Sequence, residues 1–124
     1  MLAACVLTPE LIQSGEIVWF VDNEAALSSL IRGTSRAEDV GHIAACTQVA
    51  MLECSSSVWY EWVDSDSNPA DGLSRDGVHD KWTLEQGWHL TEFPASAFTA
   101  VVEYLHRPDI TRITGMAPEE PKPV

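Results

Sequence analysis

Basic residues are scarce in this chain: seven Lys and Arg stand against nineteen Asp and Glu, and the net charge over 124 residues is -12. Phosphates are neutralised by clustered Lys and Arg, so this balance excludes a free-standing nucleic-acid binder. Long apolar runs are missing too. Ser, Glu or Gly interrupts each of them far short of the roughly 20 residues needed to cross a bilayer, which excludes a membrane span. The N-terminal stretch has no basic n-region, and its apolar run from Leu2 to Leu7 is shorter than a secretory h-region. An intracellular location, cytoplasm or nucleus, is therefore expected rather than secretion. Cys5, Cys46 and Cys54 are an odd number without C-x-x-C spacing, and on a shared helix the last two would stand about 12 Å apart along its axis. This excludes a disulfide framework and a zinc site. His42, His79, His89 and His106 sit in no ligand spacing and read as surface or half-buried side chains.

What is present is enough apolar material, 45% of residues, for the core of one α/β unit. Thr8-Pro9-Glu10 opens a short helical connector that Gly15 closes. Ile17 to Val21 is a continuous apolar and β-branched run, the pattern of a central strand buried on both faces. Asn23 caps a helix over Glu24 to Arg32, stopped by Gly33. Ser35-x-x-Glu38 has the form of a capping box, and Val40, Ile43, Ala44, Thr47, Ala50, Met51 and Cys54 recur at helical spacing, predicting a longer helix over about 36–54. Val58 to Val63 is rich in aromatic and β-branched residues and reads as a second strand. Two strands joined by two helices must run parallel if they pair, which brings Val21-Asp22 and Val63-Asp64 to the same edge. Asn68-Pro69-Ala70-Asp71 then opens a short helix ending at Asp76-Gly77, residues 78–88 are ambiguous, and Pro94 to His106 reads as an amphipathic helix. From Pro108 onward Pro, Glu and Lys dominate, so 108–124 are expected to be a disordered tail.

Two acids stand out by position. Asp22 ends the first strand, and Asp71 sits in the first turn of the helix just beyond the second, the edge where α/β folds gather ligand groups. Each alone has an ordinary explanation. Asp at a strand end is commonly a turn former, and an acid in a helix's first turn favours the helix dipole. Between Glu61 and Asp80 six acids face the single Arg75, a pattern found in solvated loops and also in sites for hard cations.

The segments Trp19-Phe20-Val21-Asp22-Asn23-Glu24-Ala25-Ala26-Leu27, Arg32-Gly33-Thr34-Ser35, Glu61-Trp62-Val63 and Asn68-Pro69-Ala70-Asp71-Gly72-Leu73-Ser74-Arg75 follow one another in this order. Together they resemble the C-terminal half of the RNase H domain that follows reverse transcriptase in retrotransposons, over about half the chain. The resemblance implies an RNase H-like fold with a mixed sheet, of which these residues supply a parallel strand pair with flanking helices and lack the opening three-stranded meander. It implies hydrolysis of RNA in RNA/DNA hybrids by two Mg²⁺ ions held on four carboxylates. It maps the third carboxylate onto Asp22 and the fourth onto Asp71, as catalytic and metal-binding residues, and finds no counterpart of the first two. Leu2-Ala3-Ala4 looks like the tail of the family's first long helix, and Glu10 lies beyond the position of its acid. The loop Asp64-Ser65-Asp66-Ser67 has no counterpart of the histidine found there in cellular members.

On this reading, 1–15 are the remnant of a preceding helix and a connector, 16–77 the RNase H-like half, 78–107 a helical extension and 108–124 the tail. Two carboxylates cannot hold two Mg²⁺ ions in register, so a retroelement nuclease fragment inactive alone is expected, prone to self-association through the strand edge left bare. A non-catalytic α/β module that binds a protein partner through that edge is the alternative. In a third reading Asp22 and Asp71 are only caps, and Trp19, Trp59, Tyr60 and Trp62 are core.

Overall fold

A computed structural model describes residues 1–114. Its centre is a parallel pair, β1 (Glu16–Val21) and β2 (Ser57–Trp62), with Ile17 opposite Val58 and Val21 opposite Trp62. The expected parallel arrangement and flanking helices are both present. The register is fixed at each end of the ladder: Ser57 N–H donates to Gly15 C=O at 2.9 Å, and Val63 N–H to Val21 C=O at 3.1 Å. At the start of β2, Ser14 N–H also donates to Cys54 C=O, and the Ser56 hydroxyl to Ile12 C=O. The turn that follows the short connector helix α2 (Pro9–Ile12) and leads into β1 is thus bonded to the turn that leads into β2.

Between the strands run α3 (Glu24–Arg32) and α4 (Glu38–Glu53). Asn23 caps α3 as its sequence predicts, its side chain accepting from Ala26 N–H at 3.0 Å. At the other end Gly33 takes φ 68°, and the Gln48 amide of α4 donates to the carbonyls of Leu30 (3.1 Å) and Ile31 (3.3 Å), which have no intrahelical donor. The left-handed turn favours glycine here, and a Cβ on Gly33 would also displace the Gln48 amide from its place. The Ser35–Glu38 capping box does not form. Ser35 instead accepts from Ala37 N–H in a local turn, and α4 begins at Glu38 with Ala37 as its uncapped N-terminal residue.

The core lies between α4, the inner face of the strand pair, α1 (Leu2–Leu7) and two later helices, α7 (Phe98–Leu105) and α8 (Pro108–Thr114). Leu2, Cys5, Ile12, Cys46, Ala50, Met51, Cys54 and Ile110 are buried together, with Ile17, Val58, Val101 and Leu105 packed against them. α7 starts later than its sequence pattern suggests, because Ala95–Ala97 form a 3-10 turn. The expectation of a disordered tail from 108 is overturned as far as 114. Pro108 and Asp109 open α8 with a proline and an acid in the first turn, and Ile110 is fully buried against the core. The rest of that expected tail, 115–124, lies outside the described residues.

A cluster of polar contacts anchors this end of the chain. Arg107 donates to both oxygens of Glu53 (2.9 and 3.1 Å), pairs with Asp109 and lies over the Tyr104 ring at 4.8 Å, while Tyr104 Oη donates to Glu53 at 2.8 Å. An acid at a helix C-terminus opposes the dipole, and Arg107 compensates the Glu53 charge there. Burial, then the bond to Glu53, pushes the Tyr104 phenol well above its usual range, so it stays a proton donor.

β1 also departs from expectation. Its run of apolar residues predicts burial on both faces, yet exposure alternates: Ile17, Trp19 and Val21 face the helices, while Val18 and Phe20 are each 56% exposed. Trp59, beside Val18, is 67% exposed, and Trp62 is also exposed, so neither is core. The cause is the sheet's size: among the described residues it has two strands and no layer on its outer face.

Replacing Ile110 with Ala removes the fully buried side chain through which α8 joins the core. It is expected to destabilise the chain by about 2–5 kcal/mol in denaturant unfolding. A loss within about 0.5 kcal/mol, the range of surface substitutions, would show that α8 is not docked.

Candidate carboxylate site at the C-terminal edge of the sheet

The parallel pairing delivers the ends of β1 and β2 to one edge, and Asp22 follows β1 directly. Beyond β2, a 3-10 turn at Ser65–Ser67 leads to Asn68, Pro69 and α5 (Ala70–Asp76). Asn68 has two partners. Its Oδ1 accepts from Ala70 N–H at 3.1 Å, which caps α5 over Pro69, and its Nδ2 donates to Asp22 Oδ2 at 2.9 Å. One side chain therefore starts the helix that carries Asp71 and holds the carboxylate at the end of β1.

Asp22, Asn68 and Asp71 are all half-buried. Asp71 lies in the first turn of α5, where the helix dipole favours an acid, and its Oδ2 pairs with Arg75 one turn on at 2.9 Å. The structure thus brings the two sequence-predicted residues to one edge and links them through Asn68, with one oxygen of each engaged by a neighbour. Asp71, together with Asp66, Asn68, Arg75, Asp80 and Trp82, lines an open cleft of about 380 Å³, whereas Asp22 is not part of its wall. Among the described residues no three His, Cys, Asp or Glu side chains gather as a metal-binding group.

The sequence reading misses two contributors. The link from Asn68 to Asp22 is tertiary, and no local pattern announces it. Asp80 has a local signal in the spacing Asp80-x-x-Thr83: it caps α6 (Lys81–Glu85), accepting from the Thr83 hydroxyl (2.6 Å) and the Thr83 N–H (2.9 Å). The Asp80 carboxylate rests against Gly72 of α5 where a Cβ would collide with it, so α5 and α6 dock through an acid and a glycine. Within the acidic segment, Asp80 thus serves as a helix cap.

Comparisons of the chain with known protein families, with curated proteins and with solved structures return no match.

The Thr83 hydroxyl, then the Thr83 amide, holds the Asp80 carboxyl below its usual range. A depressed carboxyl stabilises the fold fully above its unfolded pKa, and that contribution fades as pH falls through the folded value. In an NMR pH titration the Thr83 amide is expected to move with a midpoint below that of an ordinary aspartate, and Asp80→Asn should flatten the response. An unshifted midpoint would contradict the cap.

Proposed function

We propose that residues 16–77 are the C-terminal half of an RNase H-like nuclease domain of the retroelement kind, inactive until a segment carrying the remaining carboxylates joins it. The observation that carries this reading is the hydrogen bond from Asn68 to Asp22, which couples the strand-end Asp-Asn motif to the Asn-Pro-Ala-Asp motif across two intervening helices and one strand. These are two of the four segments on which the family resemblance rests.

The donor set does not fit two Mg²⁺ ions in this chain alone. Mg²⁺ demands a near-octahedral oxygen shell, and here two carboxylates offer four oxygens, two of them already facing Asn68 and Arg75. What these residues can do unaided is position: Asn68 orients Asp22, and Arg75 holds Asp71 until a cation or a partner acid displaces it. Complementing strands have a landing place in the outer edge of β1. A strand whose main-chain groups pair there would extend the sheet beside Asp22, and the acidic chain would add no phosphate-binding surface of its own.

The exposed Val18 and Phe20 beside that edge favour a second reading, a non-catalytic module that takes a partner strand by sheet extension. Both readings make the isolated chain prone to pair with copies of itself.

The discriminating experiment mixes the 124-residue chain with a strand-rich N-terminal half of a family RNase H domain and assays Mg²⁺-dependent cleavage of an RNA/DNA hybrid. No cleavage is expected from the chain alone, and cleavage from the complex should disappear with Asp22→Asn or Asp71→Asn. Robust cleavage by the chain alone, abolished by Asp71→Asn, would overturn the need for complementation. A folded complex that does not cleave would favour the interaction module.

A further inference from the structure

Away from the carboxylate edge, the core holds a cluster of sulfur atoms. Cys5 of α1 and Cys54 at the end of α4 line one cavity of about 270 Å³, floored by Ala50 and bordered by Pro9 and Glu53. Cys5 Sγ lies 3.2 Å from Met51 Sδ, and Met51 precedes Cys54 by three residues on the same face of α4. All three are buried, with exposures of 3, 5 and 9% for Cys5, Met51 and Cys54. None is in a disulfide.

We propose that Cys5, Cys54 and Met51 form a binding site for a soft monovalent cation of the Cu(I) class. Thiolate and thioether sulfurs select such ions over the hard cations that carboxylates take, and a d10 ion accepts two or three sulfur donors without a strong geometric demand. The donors come from two helices that already pack together, so the fold brings them into register before any ion arrives. The cavity beside them is open enough to admit an ion.

Binding is balanced by proton release. One Cu(I) and two thiols give a bis-thiolate complex of charge -1 and two protons, with no change of oxidation state. Burial pushes the Cys5 thiol up, and neighbouring Cys54 pushes it further. Thiolates rather than thiols hold the ion, so proton release accompanies binding. Cys46 supplies the internal control: it is fully buried but sits two helical turns from Cys54, beside His42.

The test is an anaerobic titration of the full chain with Cu(I) against a chromophoric Cu(I) chelator, with X-ray absorption on the loaded protein. One ion per chain with a sulfur-only shell is expected. Cys5→Ser and Cys54→Ser should each release the ion, Met51→Leu should weaken retention by about tenfold, and Cys46→Ser should leave it unchanged. Removal of all copper from the unsubstituted chain by the chelator, or retention by Cys5→Ser or Cys54→Ser, would overturn the site. Should a serine variant fail to fold, alkylation of the unsubstituted chain decides: Cu(I) should slow modification of Cys5 and Cys54 relative to Cys46, and equal slowing of all three would count against it.

Discussion

The parallel pairing of β1 and β2 is the constraint on which the rest depends. Parallel strands cannot be joined by a tight turn, so α3 and α4 must carry the chain back across the sheet, and the buried face of α4 supplies much of the core. Both strands consequently end on the same edge, and this alone lets Asn68, some forty-six residues from Asp22, reach its carboxylate. With an antiparallel pair the two motifs would lie at opposite ends.

The same pairing sets what is left unmade. Gly15 and Val21 direct their carbonyls to β2, and main-chain direction alternates along a strand, so Ile17 and Trp19 do likewise while Glu16, Val18 and Phe20 point their amides and carbonyls to the outer edge. No strand lies there among the described residues. Val18 and Phe20 of the same strand also expose apolar side chains, with Trp59 of β2 exposed next to Val18, so an unpaired edge adjoins an uncovered apolar face. A further strand would answer the first, and a further layer the second.

Much of this is legible in the sequence, and the limits have physical causes. α3 is legible because Asn23 and Gly33 are strong local signals at its two ends, and β1 and β2 because their β-branched and aromatic runs are bounded by turn formers. The capping box at Ser35 is a local pattern that lost to a competing turn bond to Ala37. Burial of β1 on both faces follows from composition only if a second layer is present, and residues 1–114 contain none to cover Val18 and Phe20. α8 is obscured by the composition of residues beyond it, although Pro108 and Asp109 are helix-opening residues, and its docking depends on the place that α1 and α4 leave for Ile110. Of the carboxylate site, the positions of Asp22 and Asp71 are legible from the strand ends. Their connection through Asn68 is not, because hydrogen bonds between segments distant in sequence leave no periodicity.

Among the described residues β1 is a strand with one paired edge and one open edge. Residue-resolved amide hydrogen exchange on the monomeric chain tests this most directly, because alternate residues of one strand must behave differently. Slow exchange is predicted at Trp19 and Val21, fast exchange at Val18 and Phe20, and protection of the latter two once a complementing strand is added. Strong protection of Val18 and Phe20 in the monomer without any partner would contradict the open edge, and with it the half-domain reading.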